Sequence, residues 1–373
     1  MNMNSHKLCY VLPEYSPDSH THFAYIADFL KEAGKEADIF LIIERGRKPD
    51  FGFGCRKVFV AGGFGLWRIF KTKLLILYAR MSGHKDFYIH YSFLSAFIAS
   101  CAVRIFGGRV FYWNCGLPWN YKRNFLREGF ERLTYKMISF LVTGTEGLKN
   151  QYSEHYGLKL EKIKVMPNWI DLNNIKDQIS AAGKEELKNQ LGIKSGQKII
   201  LFIHRLSKRK GAHYLPEILE KLKNKNVSLI IVGDGPERKE LEIKIEKLGL
   251  KDRAKFLGWL PHDVVEDYFG IADVFIMPSE EEGFPHVLLE AMAAGTPFVA
   301  FSVGGTEEIT PTELKNDIIA SSGDINGFIL KAGNFLDLDL NQAKRIKTIE
   351  QQWVKRYNIK EVAQIFKSLF YGG

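Results

Sequence analysis

The stretch "PSEEEGFPHVLLEAMAAGTPFVA", from Pro278 to Ala300, carries more of the fold and chemistry than any other part of the chain. Apolar runs at either end, Val274–Met277 and Phe298–Phe301, read as strands, with a loop and one short helix between them. Pro285 suits the first turn of that helix, because its ring fixes φ near the helical value and its missing N–H would have had no partner there. Gly295, followed by Thr296-Pro297, reads as the stop, with the glycine free to turn left-handed. Glu282 then sits in the loop before the helix and Glu290 one to two turns inside it, with seven residues between them. A pair of glutamates without such a setting would read as solvated charges. Here the free N–H groups of a helix start form an anion site beside them. A ligand with both phosphates and hydroxyls, such as a nucleotide-sugar, matches that set.

Outward from this stretch, short β-rich runs alternate with helical patterns along the whole chain, which argues for an α/β fold with parallel sheets. In the second half the other strands read as Lys198–Ile203, Val227–Val232 and Ala254–Leu257. In the first half they read as Lys7–Leu12, Ala37–Ile43, Lys57–Val60, Asp86–His90, Val110–Trp113, Phe140–Thr143 and Ile163–Met166. Helices are expected over Thr21–Ala33 and Ser92–Phe106, and a closing one over Gln352–Phe370. A polar stretch from Leu172 to about Lys184 separates the halves as a linker. The expected domains are residues 1–171 and 172–351.

The 373 residues exceed one typical domain and suit two. With 46% hydrophobic and 25% charged residues, the composition is that of an ordinary globular protein. Cys9, Cys55, Cys101 and Cys115 are scattered without C-x-x-C spacing, which argues against a zinc site or disulfide framework and fits a reducing cytosol. The opening "MNMNSHKLCYVLP" runs straight into a strand, and no signal peptide is read there. The most apolar stretch, Phe87 to Val103, contains His90 and several serines and reads as a strand and a buried helix, not a membrane span. The expected location is the cytoplasm, with the inner face of the membrane as a peripheral alternative. Charge is one-sided: 24 Lys/Arg against 14 Asp/Glu up to Ile170 and near balance beyond. That points to an anionic partner such as a membrane surface or phosphorylated lipid. No nucleic-acid motif accompanies it, so nucleic acid is not an expected partner.

The Pro278–Ala300 string resembles the signature of glycosyltransferase family 4, the group 1 glycosyltransferases: a strand, Pro-Ser, Glu-Gly-Phe, then Leu-Glu-Ala-Met-Ala-x-Gly-x-Pro. The resemblance implies the GT-B architecture, two Rossmann-like domains facing across a cleft, with the closing helix (about 352–373) packed back on the first. Ligands of such sheets bind beyond the carboxyl ends of the strands. "FIHRLSKRKGAHYL" (Phe202–Leu215) is similar to the family's Gly-Arg-Leu…Lys-Gly element and puts Arg205 and Lys210 where the family clasps the donor diphosphate; His204 stands in place of its glycine. "IIVGDGPERKEL" (Ile230–Leu241) resembles the Gly-x-Gly-Pro loop beside the donor, through Gly233 and Gly235, and lacks the third glycine of a dinucleotide fingerprint. Gly258 and Trp259 in "FLGWLPHDVVEDYF" fall where the family meets the nucleobase. The same resemblance gives Glu290 to the ribose diol and Glu282 to the donor sugar. The backbone of Gly283, Phe284, Pro285 and His286 would hold the sugar, Pro285 having no N–H to offer. It implies retention of anomeric configuration without a protein nucleophile, catalysis through Glu282, Arg205 and Lys210, and no metal or other cofactor.

The acceptor side departs from the family. "LPEYSPDSHTHFAY" (Leu12–Tyr25) lacks the glycine-rich loop, and Asn114 stands where a histidine is usual. Asn cannot act as a base at neutral pH. The acceptor-side candidates are Asn114, Thr145, Glu146, His20 and His22, with His90 nearby; Thr145 and Glu146 match a Ser-Glu element, and Asn168 and Asp171 a domain-crossover Pro-Asn-x-x-Asp. The Asp-x-Asp of "DLDLN" (Asp337–Asn341) reads as a helix cap. Two stretches, Phe64–Met81 and Tyr121–Met137, mix cations with aromatic residues at helical spacing. They fit either a membrane-surface face or ordinary helices with apolar sides in the core. The expected function is a retaining transferase moving a hexose-type unit from a UDP- or GDP-linked donor to a hydroxyl of a glycan or lipid-linked acceptor, in surface polysaccharide or glycolipid assembly. The alternatives are a catalytically inactive nucleotide-sugar-binding partner subunit and a GT-B sugar-nucleotide epimerase.

Overall fold

Apolar strands that alternate with helices build two separate parallel sheets in this computed structural model, which describes residues 6–16, 25–49, 54–174 and 179–371. Each sheet belongs to its own unit, one of Met1–Trp169 with Ile359–Gly373 and the other of Ile170–Asn358.

The first unit runs β1 (His6–Leu12), α1 (Ile26–Ala33), β2 (Ala37–Ile43), β3 (Lys57–Val60), α2 (Gly65–Met81), β4 (Asp86–His90) and α3 (Phe93–Phe106). It continues through β5 (Arg109–Trp113), α4 (Phe125–Met137), β6 (Phe140–Thr143), α5 (Glu146–Tyr156) and β7 (Ile163–Val165). The sheet order is β3-β2-β1-β4-β5-β6-β7. Its central strands are apolar on both sides because each side meets helices. On one side Cys9, Val11, Phe40, Ile42 and Ile89 pack under α2, α3 and α4; on the other Leu8, Tyr10, Leu41 and Tyr88 pack under the chain's last helix. The helix read over Thr21–Ala33 is α1 from Ile26; residues 17–24, with His20 and His22, lie outside the described residues.

The second unit runs α6 (Ala181–Gln190), β8 (Lys198–Ile203), α7 (Leu215–Lys221), β9 (Val227–Val232), α8 (Arg238–Lys247), β10 (Ala254–Gly258), α9 (His262–Ile271) and β11 (Val274–Met277). It continues through α10 (His286–Ala294), β12 (Phe298–Phe301), α11 (Thr306–Ile309), α12 (Lys315–Ile318), β13 (Ile319–Ala320), α13 (Ile325–Leu336) and α14 (Leu340–Trp353). The sheet order is β10-β9-β8-β11-β12-β13. Asp339 caps α14 in a capping box with Gln342, and Asp337 pairs with Lys225. The single closing helix read from Gln352 is broken: α14 stops at Trp353, a tight turn spans Val354–Tyr357, and α15 (Ile359–Tyr371) begins after Asn358. The break separates the two units. Ile170 pairs with Asn358 and Trp353 donates to the Ile309 carbonyl in the second, whereas α15 lays Phe366 and Phe370 against Tyr88 and Phe111 in the first.

Glu350 on α14 is fully buried, and neither carboxylate oxygen has a hydrogen-bond partner among the described residues. Burial pushes its carboxyl well above the ordinary range. A raised folded pKa means stability that is complete below the unfolded value, about 4.3, and is lost as pH rises toward the folded one. Glu350→Gln should therefore gain on the wild type as pH rises, by about 1.4 kcal/mol per unit above ~4.5. Urea midpoints of both proteins at pH 5 and pH 7.5 measure this, and a constant gap between them would exclude it.

Candidate functional site

β8 has β9 on one side and β11 on the other, so the chain winds outward in both directions from the β8–β11 gap. A crevice opens at the carboxyl end of such a gap. Two loops meet there, Ile203–Gly211 leaving β8 and Pro278–Glu282 leaving β11. Gly211 clamps them together. It is left-handed (φ +69°), and a Cβ there would lie 1.8 Å from the Pro278 carbonyl oxygen, so only glycine allows the approach. The clamp puts Lys210 beside Glu282, and Nζ donates to Oε1 at 2.7 Å.

His204 meets the same carboxylate oxygen. The Arg205 backbone N–H donates to His204 Nδ1 at 2.9 Å, which leaves the ring proton on Nε2, 3.3 Å from Glu282 Oε1. Two donors thus converge on one oxygen, and Oε2 carries no hydrogen bond among the described residues. Burial alone would raise the Glu282 carboxyl; Lys210, and after it His204, overcome burial and hold it well below the usual carboxylate range. Burial and then Lys210 lower His204, so the imidazole is neutral at neutral pH. The neighbouring charges sort by partner: Arg209 pairs with Glu281 at 3.4 Å, and His213 with Glu280 at 3.4 Å. The exposed Arg205 guanidinium has no ion pair or side-chain hydrogen bond among the described residues.

Glu290 lies on α10, which begins at His286 after Pro285 in the cap position and ends at the left-handed Gly295. Its Oε1 is 2.9 Å from Nε2 of His262, the first residue of α9, and this hydrogen bond raises His262 against the effect of burial. Gly283 gives its carbonyl to the Gly305 N–H at 2.9 Å. Phe284 turns its ring into the core, edge-on to Tyr357, so only its backbone faces the loop. The amides of Gly233 and Gly235 are used within the protein. The Gly233 N–H is used by the Gly258 carbonyl (2.7 Å), and the Gly235 N–H by Asp234 Oδ1 (2.6 Å). A Cβ at Gly233 would lie 2.1 Å from the His204 carbonyl oxygen, and one at Gly235 2.2 Å from that of Leu206. These glycines let the Val232–Pro236 turn press on the loop that carries Arg205. Gly258 is left-handed and Trp259 beyond it is half exposed.

The acceptor-side candidates among the described residues of the first unit, Asn114, Thr145 and Glu146, each have partners within the protein. Asn114 is buried, with Nδ2 donating to the Tyr135 and Tyr112 hydroxyls (3.2 and 3.4 Å) and Oδ1 accepting from the Gly116 N–H (2.9 Å). Thr145 caps α5 by accepting from the Leu148 N–H, and Glu146 pairs with Lys149 on the surface. His90 is buried, 3.0 Å from the Tyr10 hydroxyl and stacked on Trp113. Asp171 caps its own turn through Asn173 and Asn174. Sequence reading missed two residues of the second-unit site. His204 appears there only as a replaced glycine, and His262 is an unremarked polar residue after Pro261. The Pro261–His262 helix start was the available signal for the second; the first had none beyond its neighbours.

Residues 183–353 match the family described as glycosyl transferases group 1. A glycosyltransferase of uncharacterized specificity from Methanocaldococcus jannaschii is 34% identical over 240 residues, covering 61% of this chain and 59% of that protein. The 2-deoxystreptamine glucosyltransferase of Streptomyces kanamyceticus is 30% identical over 191 residues, 49% of each chain. The chain thus spans only about half the length of the curated relatives it matches. Among solved structures, Anabaena HepE in complex with UDP and glucose is similar over 99% of this chain and 100% of its own, with a TM-score of 0.78 at 21% identity. That likeness is one of fold.

Removing Lys210 would strand Glu282 as a buried charge, which costs about 3 kcal/mol. Lys210→Met should lose that much stability, and adding Glu282→Gln should recover most of it; a double-mutant cycle in urea checks both. Glu282 and His204 each bind fewer protons folded than unfolded. Their contribution is therefore complete above about pH 6.5 and is lost as pH falls. The double variant should show a flatter acid limb than the wild type.

Proposed function

We propose, from the match of residues 183–353 to the group 1 glycosyltransferases and the GT-B fold of the chain, that this protein is a retaining hexosyltransferase. It moves a hexose-type unit from a UDP- or GDP-linked sugar to a hydroxyl of a glycan or lipid-linked acceptor, in surface polysaccharide or glycolipid assembly. The observation that carries the reading is the asymmetric Glu282 carboxylate, anchored by the same loop that carries the unpaired Arg205. Oε1 is anchored by Lys210 and His204, so Oε2 is left to accept from donor-sugar hydroxyls. Arg205 presents a planar fork to a diphosphate, and Lys210 adds a point charge next to it. Charge fixed in place before the reaction stabilises the leaving diphosphate as it forms, with no reorganisation needed at that moment. Glu290, steadied by His262, would accept from the ribose diol. The departing phosphate takes the acceptor proton on the same face, and no side chain acts as nucleophile.

The internally satisfied Asn114 favours one second reading, a subunit that binds nucleotide-sugar without turning it over. Incubation with UDP- and GDP-hexoses and a cell lipid extract, followed by mass spectrometry, separates them. A glycosylated product supports transfer, donor binding without product supports the inactive subunit, and an altered sugar from donor alone supports an epimerase. For a transferase, Arg205→Ala should lower kcat about 10² to 10³-fold, while Lys208→Ala changes it by less than about twofold. Equal losses from both would refute the assignment of Arg205.

A further inference from the structure

Helix α2 has two apolar faces and only one of them is used. Thr72, Ile76 and Ala79 are buried under it. On the opposite side Trp67, Phe70, Leu74 and Met81 are exposed large apolar residues, Met81 at 83%, with the half-exposed Tyr78 at the edge, its ring against Phe40 and Phe59. Their spacing of three, four, four and three residues keeps them in one stripe along the helix. The stripe is continued before the helix by Phe64, exposed at 93%, and beside its far end by Ile105 and Phe106 of α3, where Arg80 holds the Phe106 and Gly107 carbonyls. Scattered exposed leucines are ordinary, but a contiguous stripe of this length marks an interaction surface.

The charge around the stripe says which one. Residues 51–127 hold 12 Lys/Arg and a single acid, Asp86, which is buried and bonded to Arg109 and His6. Lys71 flanks the stripe on one side and Lys73 on the other, by their positions on the helix. Lys71 Nζ lies 5.5 Å from the Trp67 ring centre, and that ring stacks on Phe70 at 5.5 Å. A protein partner would be expected to meet aromatic anchors inside a polar rim of both signs. Lysines without a carboxylate partner around tryptophan, phenylalanine and methionine instead match the headgroup and acyl boundary of an anionic bilayer. Among the described residues no helix is long and apolar enough to cross a membrane, and the stripe would lie in the interface plane.

We propose that the exposed face of α2 docks this protein on anionic phospholipid, with Trp67, Phe70 and Leu74 inserted among the acyl chains and Lys71 and Lys73 at the headgroups. The surface lies wholly within the first unit and is independent of the transfer reaction. Its test is flotation of the full chain with phosphatidylcholine vesicles with and without phosphatidylglycerol. Binding is expected only to the anionic vesicles, weakening as salt is raised. Lys71→Gln with Lys73→Gln should cut the partition coefficient about 25-fold, about fivefold per charge. Phe70→Ser with Leu74→Ser should cut it by about 100-fold or more, about tenfold per buried side chain. All four side chains leave the buried face of α2 untouched, so both variants should keep the wild-type circular dichroism and thermal midpoint. A blue shift of tryptophan emission on binding should vanish in Trp67→Phe. Absence of binding at low salt, equal binding by all variants, or a dimer dissolved by Phe70→Ser/Leu74→Ser without any vesicle binding would each overturn the proposal.

Discussion

The Glu282 carboxylate is nearly sealed from solvent and still ionised, and the site in the second unit is arranged around keeping it so. Burying an isolated carboxylate costs several kcal/mol even after relaxation. Lys210 at 2.7 Å and the His204 N–H at 3.3 Å offset that cost, and both arrive from the loop after β8, not from the chain around Glu282. The ion pair therefore depends on how closely two loops from neighbouring strands approach. Glycines set that distance. Gly211 sits against Pro278, and the left-handed Gly304 would put a Cβ 1.8 Å from the Glu282 carbonyl oxygen. A side chain at either would push apart the backbones that hold the pair.

The same constraint accounts for the glycines at 233 and 235. Each packs on the backbone of the loop Ile203–Gly211, and each amide is used within the protein. The Asp234 between them accepts from Gly235 and from Arg238, which keeps the turn rigid from its own side. Three glycines, Gly211, Gly233 and Gly235, thus fix a short segment whose charges fall into two classes. Arg209 and Lys210 are neutralised by Glu281 and Glu282, and Arg205 is not. An exposed cation left without a carboxylate, on the loop that anchors a buried carboxylate with one oxygen in reserve, is the asymmetry of this site.

Much of this was legible in the sequence. Strands such as Val227–Val232 and Val274–Met277 could be bounded to the residue because parallel strands buried on both faces read as unbroken apolar runs between polar turns. Gly295 ended α10 as its position predicts. The two-residue strand β13 is too short to carry a pattern. The break at Val354–Tyr357 was hidden because Trp353, Val354 and Tyr357 are apolar and continue the helical spacing. What decides it is tertiary: the Trp353 indole bonds the Ile309 carbonyl, and Ile170 pairs with Asn358. Side-chain hydrogen bonds are the least legible layer. Nothing in the letters at 114 and 145 says that Asn114 turns inward to Tyr135 or that Thr145 is spent on a cap.

Those inward turns follow from what surrounds them. The core beneath Asn114 holds Tyr112, Tyr135 and Tyr152, whose hydroxyls must be satisfied when buried, and Asn114 with the Gly116 backbone supplies the partners. Burial keeps all three phenols protonated, so this layer is a neutral network with no base in it. The first unit thus keeps polar groups where they bond internally and leaves apolar ones outside on α2. That inversion is costly in water unless something apolar covers the helix, since burying each large side chain is worth about 2 kcal/mol. Lys71 and Lys73 beside it pair with no carboxylate among the described residues. A surface that is both greasy and basic has one environment that lowers both terms at once, and the physics of the bilayer interface provides it.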